Sequence, residues 1–344
     1  MNAAVARSVG IVAALAGTAI VPTAGAAPVV RSGSGANAVA IQAVVDQFRA
    51  DLGTLNANTE GSVGTGRREI NWDGVPNGSA APNALPANFF NVSSPRGVIL
   101  ASAAATDTFM VSASTGNPTA TPVEFGNLDA SYPASFQPFS AQRMFAATAS
   151  TVTEIHFFVP GTDQPATVSG FGAVFADVDS AASTYVKTYS AAGTLLSTLA
   201  VPIANDGLSF AGATYDGGER VARVQMVAGN APLAAGSPDG GAASDKVVVD
   251  DLIFGEPSVP PQTTILAKPP RTTTQRRARF AFGSSPENEA ATFECKLDSK
   301  PPAACTSPKT YRGLKPGRHA FTVAATLGGL VDSIPARATW KVRR

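Results

Sequence analysis

Six carboxylates sit in or beside apolar, strand-like runs: Glu69 and Asp73 in RREINWDG, Asp177 and Asp179 in TVSGFGAVFADVD, Asp250 and Asp251 in KVVVDDLIFG. A carboxylate so placed can solvate a strand end or cap a turn. It can also ligate a hard cation together with other oxygens, or, as one of a pair, drive glycoside hydrolysis. Side chains alternate along a strand, so Asp177 and Asp179 are expected on one face and Asp250 and Asp251 on opposite faces. The reading taken forward is a Ca2+ site in which Asp250 or Asp251 joins Glu69 or Asp73, with strand-end solvation as the competing one. In a jelly roll such a site would pin the termini together.

A second kind of chemistry belongs to rings. Trp72, Phe89, Phe90, Tyr132 and Phe136 lie in aromatic or proline-rich stretches and would stack on sugars if they lined a concave face or loop rim. Packing into the core or the loops is the alternative. Other chemistries lack their residues: there is no G-x-S-x-G elbow, HExxH, P-loop or G-x-G-x-x-G. The chain has two histidines, His156 between Ile155 and Phe157, and His319, and both read as structural. Without a Ser/His/Asp cluster or a free cysteine, covalent hydrolysis has poor support. Paired carboxylates keep a glycoside-active enzyme as the catalytic alternative.

Composition says what must position these groups. Of 344 residues only 15% are charged and 7% aromatic, with 32 Gly and 26 Pro. That suits short strands joined by turns and does not suit a helical bundle. The net charge of +1 hides an asymmetry: residues 263–344 hold 15 Lys/Arg and 5 Asp/Glu, leaving 11 basic and 20 acidic residues before them. Two differently solvated surfaces would account for this. The sharper expectation is that the basic part meets an anionic wall polymer or acidic polysaccharide and the acidic part holds cations. Nucleic acid is not expected, because no aromatic platform is interleaved with the cations.

The N-terminus reads as a signal peptide. Arg7 precedes an apolar run at residues 9–21, too short to span a bilayer, and Ala24-Gly25-Ala26 offers a cleavage site after Ala26. A secreted protein without membrane insertion follows. Cys295 and Cys305 then read as a disulfide, since a metal site would find only His319 nearby.

In chain order, residues 27–66 read as a mobile lead, one amphipathic helix and a polar linker. The helix is capped by Asn37 and carries Ile41, Val44, Val45, Phe48 and Leu52 on one stripe, with Gly53 as its stop. Its stripe must be covered by the sandwich or by a partner. Residues 67–256 carry many short strands and read as a jelly-roll-like antiparallel β-sandwich; Gly170 and Gly172 mark a close backbone approach or a bulge. Phe171, Val174, Val249 and Ile253 are expected to bury together between its sheets. Residues 257–262 form a proline hinge, and residues 263–344 an Ig-like sandwich. The fold class is therefore all-β.

Two stretches resemble known families. FECKLD, CTSPKTYRGLKPGRHAFTVAAT and SIPARATWKV resemble an Ig-like, fibronectin-III-like module repeated in secreted actinobacterial proteins, over residues 261–342. In that pattern a strand Cys pairs with a Cys just before a Ser-Pro turn. The chain departs from it at Thr326-Leu327-Gly328-Gly329, where the family has an Asp-x-x-Gly-Asn turn. GRREINWDGV, PVEFGN, FFVPGT, GFGAVFADVD, ERVARVQ and VVVDDLIFGEP are similar to a family of exported bacterial proteins without an assigned role, over residues 38–257. VVVDDLIFG also looks like the closing strand of carbohydrate-binding jelly rolls. Together these features predict a secreted, non-catalytic binding or adhesion protein for glycan or cell-wall polymer, stabilised by Ca2+. A structural matrix or surface protein without a specific ligand is the first alternative, and the glycoside-active enzyme the second.

Overall fold

A strand covered on one face alternates apolar and polar residues; one covered on both faces does not. Gly170–Val178 and Val248–Gly255 are buried at every residue and pair with each other. Both must lie inside a layered structure, and the computed structural model of the chain, which describes residues 27–102, 109–215, 218–285 and 291–344, shows the layers. The proposed signal peptide lies outside the described residues, as do Asp216 and Gly217 of one expected turn.

The first unit begins with β1 (Val29–Gly35), α1 (Ala38–Leu52) and β2 (Arg67–Ile70). The short α2 (Phe89–Val92), β3 (Val98–Ser102), β4 (Phe109–Val111) and the short α3 (Tyr132–Ser135) follow. Then come β5 (Phe145–Ala147), β6 (Val152–Phe157), β7 (Gly170–Val178), β8 (Tyr185–Tyr189) and β9 (Leu195–Ala200). β10 (Ala204–Thr214), β11 (Arg223–Val227) and β12 (Val248–Gly255) complete it. One sheet runs β1-β10-β7-β12-β5-β4, with β2 also on β12, and the other runs β3-β6-β11-β8-β9. The chain crosses repeatedly between two antiparallel sheets, as a jelly roll does. Strands make up 44% of the structure and helices 10%, so the chain is all-β.

Two apolar layers result. Between the sheets pack Phe145, Ile155, Phe157, Phe171, Val249 and Phe254. On the outer side of the first sheet, Ile41, Val45, Phe48 and Leu52 of α1 pack with Phe125, Tyr132 and Phe136 against Val174, Phe210 and Ile253. All four residues expected to share one core are buried, but Phe171 and Val249 face the second sheet while Val174 and Ile253 face α1. The helix supplies a third layer, which a two-sheet picture leaves out.

The helix seats where the sheet has no side chains. Gly172 and Gly212 are register partners on β7 and β10, and a Cβ on either would stand 2.8 or 2.9 Å from the Phe48 ring. The residues expected to be a mobile lead and a linker are also ordered. β1 pairs with β10 over seven residues, and residues 56–63 are held by Arg68 and Glu256, both fully buried and bonded at 2.7 and 2.9 Å.

The second unit holds β13 (Gln262–Ala267), β14 (Thr272–Thr273), β15 (Arg277–Ser285), β16 (Thr292–Leu297) and β17 (Ala303–Cys305). It continues with β18 (Lys309–Arg312), β19 (Gly317–Leu327), β20 (Leu330–Val331) and β21 (Ala336–Val342). Its sheets, β13-β15-β18 and β14-β21-β19-β16-β17 with β20 on β19, enclose Phe280, Phe282, Phe321, Val323 and Trp340. Cys295 and Cys305 form a disulfide between β16 and β17. The turn that departs from the family pattern has a use here. Arg220 of the first unit donates to the Gly328 carbonyl at 2.9 Å while also bonding Thr167 and Ser258.

Gly172→Ala places a methyl group against the Phe48 and Phe210 rings and is expected to cost about 1–3 kcal/mol, the usual penalty of overpacking. Urea denaturation should show that cost shrinking in a Phe48→Ala background, because the two sites share the contact.

Candidate metal centre

The carboxylates assigned to Ca2+ from the sequence are engaged by the protein itself. Asp250 and Asp251 both fall opposite Val174, because β12 makes a bulge between Val249 and Leu252. The bulge turns both carboxylates to one side instead of opposite faces. The Ser140 hydroxyl donates to Asp250 Oδ1 at 3.1 Å and can bond Asp251 Oδ1 at 2.8 Å. The Phe139 amide donates to Asp250 Oδ2 at 2.5 Å. Arg49 of α1 bridges Asp251 at 3.0 Å and Glu69 at 2.9 Å, and Arg67 reaches Glu69 at 2.6 Å. Asp73 stands apart from this group and accepts from the Arg143 amide at 3.0 Å and from the Gln142 amide. Glu69, Asp73, Asp250 and Asp251 thus organise residues 139–143 and α1, which corrects their assignment as one cation site.

Burial, then the neighbouring Asp251 charge, pushes Asp250 well above the usual carboxylate range. Burial also raises Asp251, against the pull of Ser140, Asp250 and Arg49. Burial and mutual repulsion thus both favour protonation within the pair.

The predicted sugar-stacking rings are corrected too. Trp72, Phe89, Phe90, Tyr132 and Phe136 are all buried, none more than 8% exposed. Trp72 stacks on Phe145 at 4.5 Å and donates its indole N–H to the Asp250 carbonyl. Tyr132 donates to the Ser237 carbonyl at 2.6 Å. Their apolar area fills the two core layers and leaves no ring face for a ligand.

Another set of carboxylates lacks such partners. Asp177 is the penultimate residue of β7, Asp179 lies just past its end, and Asp239 comes from the loop before β12; one oxygen of each lies within 4.8 Å of the others. The wide irregularity between β7 and β10 places Asp177 in left-handed backbone, φ 66°, with its Oδ1 accepting from the Asp206 amide at 2.8 Å. Asp177 is 1% exposed, and its Oδ2 and both oxygens of Asp179 are buried without a hydrogen-bond partner. Asp239 is fixed by the Gly241 amide at 2.9 Å and the Lys246 amide at 3.1 Å. The buried Lys246 ammonium turns to the Pro232 carbonyl and Ser244 instead. Asp245 is engaged by the Asp179 and Ser180 amides and by Ser183.

Burial first, then the charges of Asp179, Asp239 and Asp206, pushes Asp177 up to about 7 despite the Asp206 amide. Burial and the charges of Asp239, Asp245 and Asp206 push Asp179 up to about 6. The arrangement could hold a metal ion: it converges hard oxygen donors from two segments and lacks a protein cation among the described residues. Asp177 and Asp179 were singled out from the sequence by strand alternation, but the left-handed backbone of Asp177 and the end of β7 at Val178 place them together here. Asp239 was not, because SPDGG reads as a turn.

The chain matches no family model and no curated protein. Among solved structures it is similar to the PKD domain of the human VPS10 domain-containing receptor SorCS2, with 16% identity and TM-score 0.20, over 25% of this chain and 74% of that one. It is also similar to the β-1,2-glucanase from Parabacteroides distasonis, with 11% identity and TM-score 0.23, over 61% of this chain. A third is the extracellular domain of the hybrid two-component system BT3049 from B. thetaiotaomicron, with 13% identity and TM-score 0.24, over 60% of this chain. The chain spans 34% and 31% of the length of the latter two. Likenesses this slight carry no argument about function.

Asp250→Asn tests the buried pair. A carboxyl raised in the folded state contributes stability that is present below its unfolded value, about 3.9, and lost as pH rises through the folded one. The parent protein should lose stability across that span and the variant should show a flatter profile, measured by urea denaturation at several pH values.

Proposed function

We propose that this chain is a non-catalytic extracellular binding or adhesion protein for polysaccharide, its sandwich stabilised by Ca2+ at Asp177, Asp179 and Asp239. One observation carries the reading: three carboxylate oxygens are buried with no donor to satisfy them. Leaving such groups unpaired is costly, and protons or a cation relieve the cost. Ca2+ fits better than Mg2+, which demands near-octahedral geometry and keeps its waters. Bound there, the ion ties the end of β7 to the long loop before β12.

Other observations support the remaining parts. The Asp250–Asp251 pair, the obvious candidate for glycoside chemistry, is shut from solvent at 0% and 1% exposure. The Cys295–Cys305 disulfide suits an oxidising compartment. No helix of the described residues is long and apolar enough to cross a membrane.

Ca2+ at about 100 times its Kd should add about 2.7 kcal/mol, or roughly 5–10 °C in Tm for a unit of this size. Mg2+ should do less. Asp177→Asn and Asp239→Asn should abolish the response, and it should weaken as pH falls through about 6, where protons compete for the Asp179 oxygens. Calorimetry after chelation that gives neither binding heat nor a shift in melting rejects the cation reading.

A further inference from the structure

The positive charge of the chain is concentrated in its second unit, where residues 263–344 carry 15 basic and 5 acidic residues. Part of that charge has a defined geometry. On β19 and β21, Phe321, Ala338 and Trp340 point into the core, so their neighbours point to solvent. Arg318 stands opposite Lys341, which pairs onward with Thr272 of β14. Two residues along, Ala320 stands opposite Thr339, and two further, Thr322 opposite Arg337. Cations thus flank a low floor of Ala and Thr, the end rows being roughly 13 Å apart at the usual rise per strand residue.

The floor is a depression of about 420 Å³, lined chiefly by Arg271, Thr272, Arg318, Arg337, Thr339 and Lys341. Its one carboxylate, Asp298, is occupied: one oxygen bonds His319 Nδ1 and the other accepts from the Ala320 amide, each at 2.8 Å. Among the described residues, Arg271, Arg318, Arg337 and Lys341 form no ion pair.

We propose that this face binds an acidic polysaccharide, its carboxylates on the arginines and Lys341 and its hydroxyls on the threonines. A planar guanidinium grips a carboxylate with two parallel hydrogen bonds. A threonine hydroxyl both donates and accepts, which complements a sugar hydroxyl. A single-stranded nucleic acid would be held by rings that stack its bases, and the Trp340 ring beneath the floor is only 3% exposed; duplex DNA is the competitor in the test. The proposal deepens the binding reading given above and rests on none of the cation chemistry.

The full secreted chain is tested on polygalacturonate immobilised on a sensor, with neutral dextran as blank and DNA as competitor, in Ca2+ and in EDTA. Binding to polygalacturonate is expected, falling steeply between about 50 and 200 mM salt. Arg318→Ala with Arg337→Ala should weaken it at least about tenfold, since each removes a charge-assisted bond. Arg312→Ala with Lys315→Ala, which removes two exposed cations outside the depression, should change it less than about twofold. All four are surface residues, and unchanged melting temperatures confirm folding. No binding to polygalacturonate, equal losses in the two double variants, or tighter binding of DNA overturns the proposal. Such failure leaves the Ca2+-dependent melting shift untouched, so the two readings fall separately.

Discussion

Arg68 and Glu256 hold the first unit closed at one corner. Both are fully buried, and every guanidinium N–H is used: two groups on Glu256 and the rest on the carbonyls of Thr59, Gly61 and Pro95. Glu256 also accepts from Asn56 and the Val63 amide. Burying two ions is offset only when their hydrogen-bonding capacity is filled in this way. One pair thereby fixes the linker after α1, the loop before β3, and the point where β12 leaves the sheet for the hinge.

The same constraint sorts the other buried charges. Asp250 and Asp251 are engaged by Ser140, backbone amides and Arg49, so the sandwich meets their hydrogen-bonding demand itself. Asp177 is as deeply buried and Asp179 partly so, yet three of their oxygens have no hydrogen-bond partner. These unpaired oxygens are what the proposed cation would satisfy. That contrast, rather than the number of acidic residues, separates a cation site from a solvated cluster.

Much of this was legible from residues alone, and the exceptions have physical causes. Asn37 and Gly53 capped the helix as read, because cap chemistry is local. The glycines of β7 announced the close approach that Phe48 makes. The failures were non-local. β1 looked like a loose lead because VVRSGSG has little apolar pattern, yet it satisfies the edge of β10 through backbone bonds that side chains do not advertise. The bulge at Asp250 inverted an alternation argument that holds only for regular strands. Of the aromatics predicted at a ligand face, Tyr132 and Phe136 were drawn into the layer that α1 and α3 create, and Trp72, Phe89 and Phe90 into the core between the sheets. Asp239 escaped notice because a single carboxylate in a glycine-rich turn acquires meaning only from what the fold sets beside it.

The account therefore turns on whether a cation joins the end of β7 to the loop before β12. Crystals of the chain grown in Ca2+ and measured at a wavelength where calcium scatters anomalously address it directly. An anomalous peak within coordination distance, about 2.3–2.6 Å, of Asp177, Asp179 and Asp239 oxygens is the predicted result. Empty density there, with the three carboxylates parted into solvent or bonded to a side chain, would contradict it.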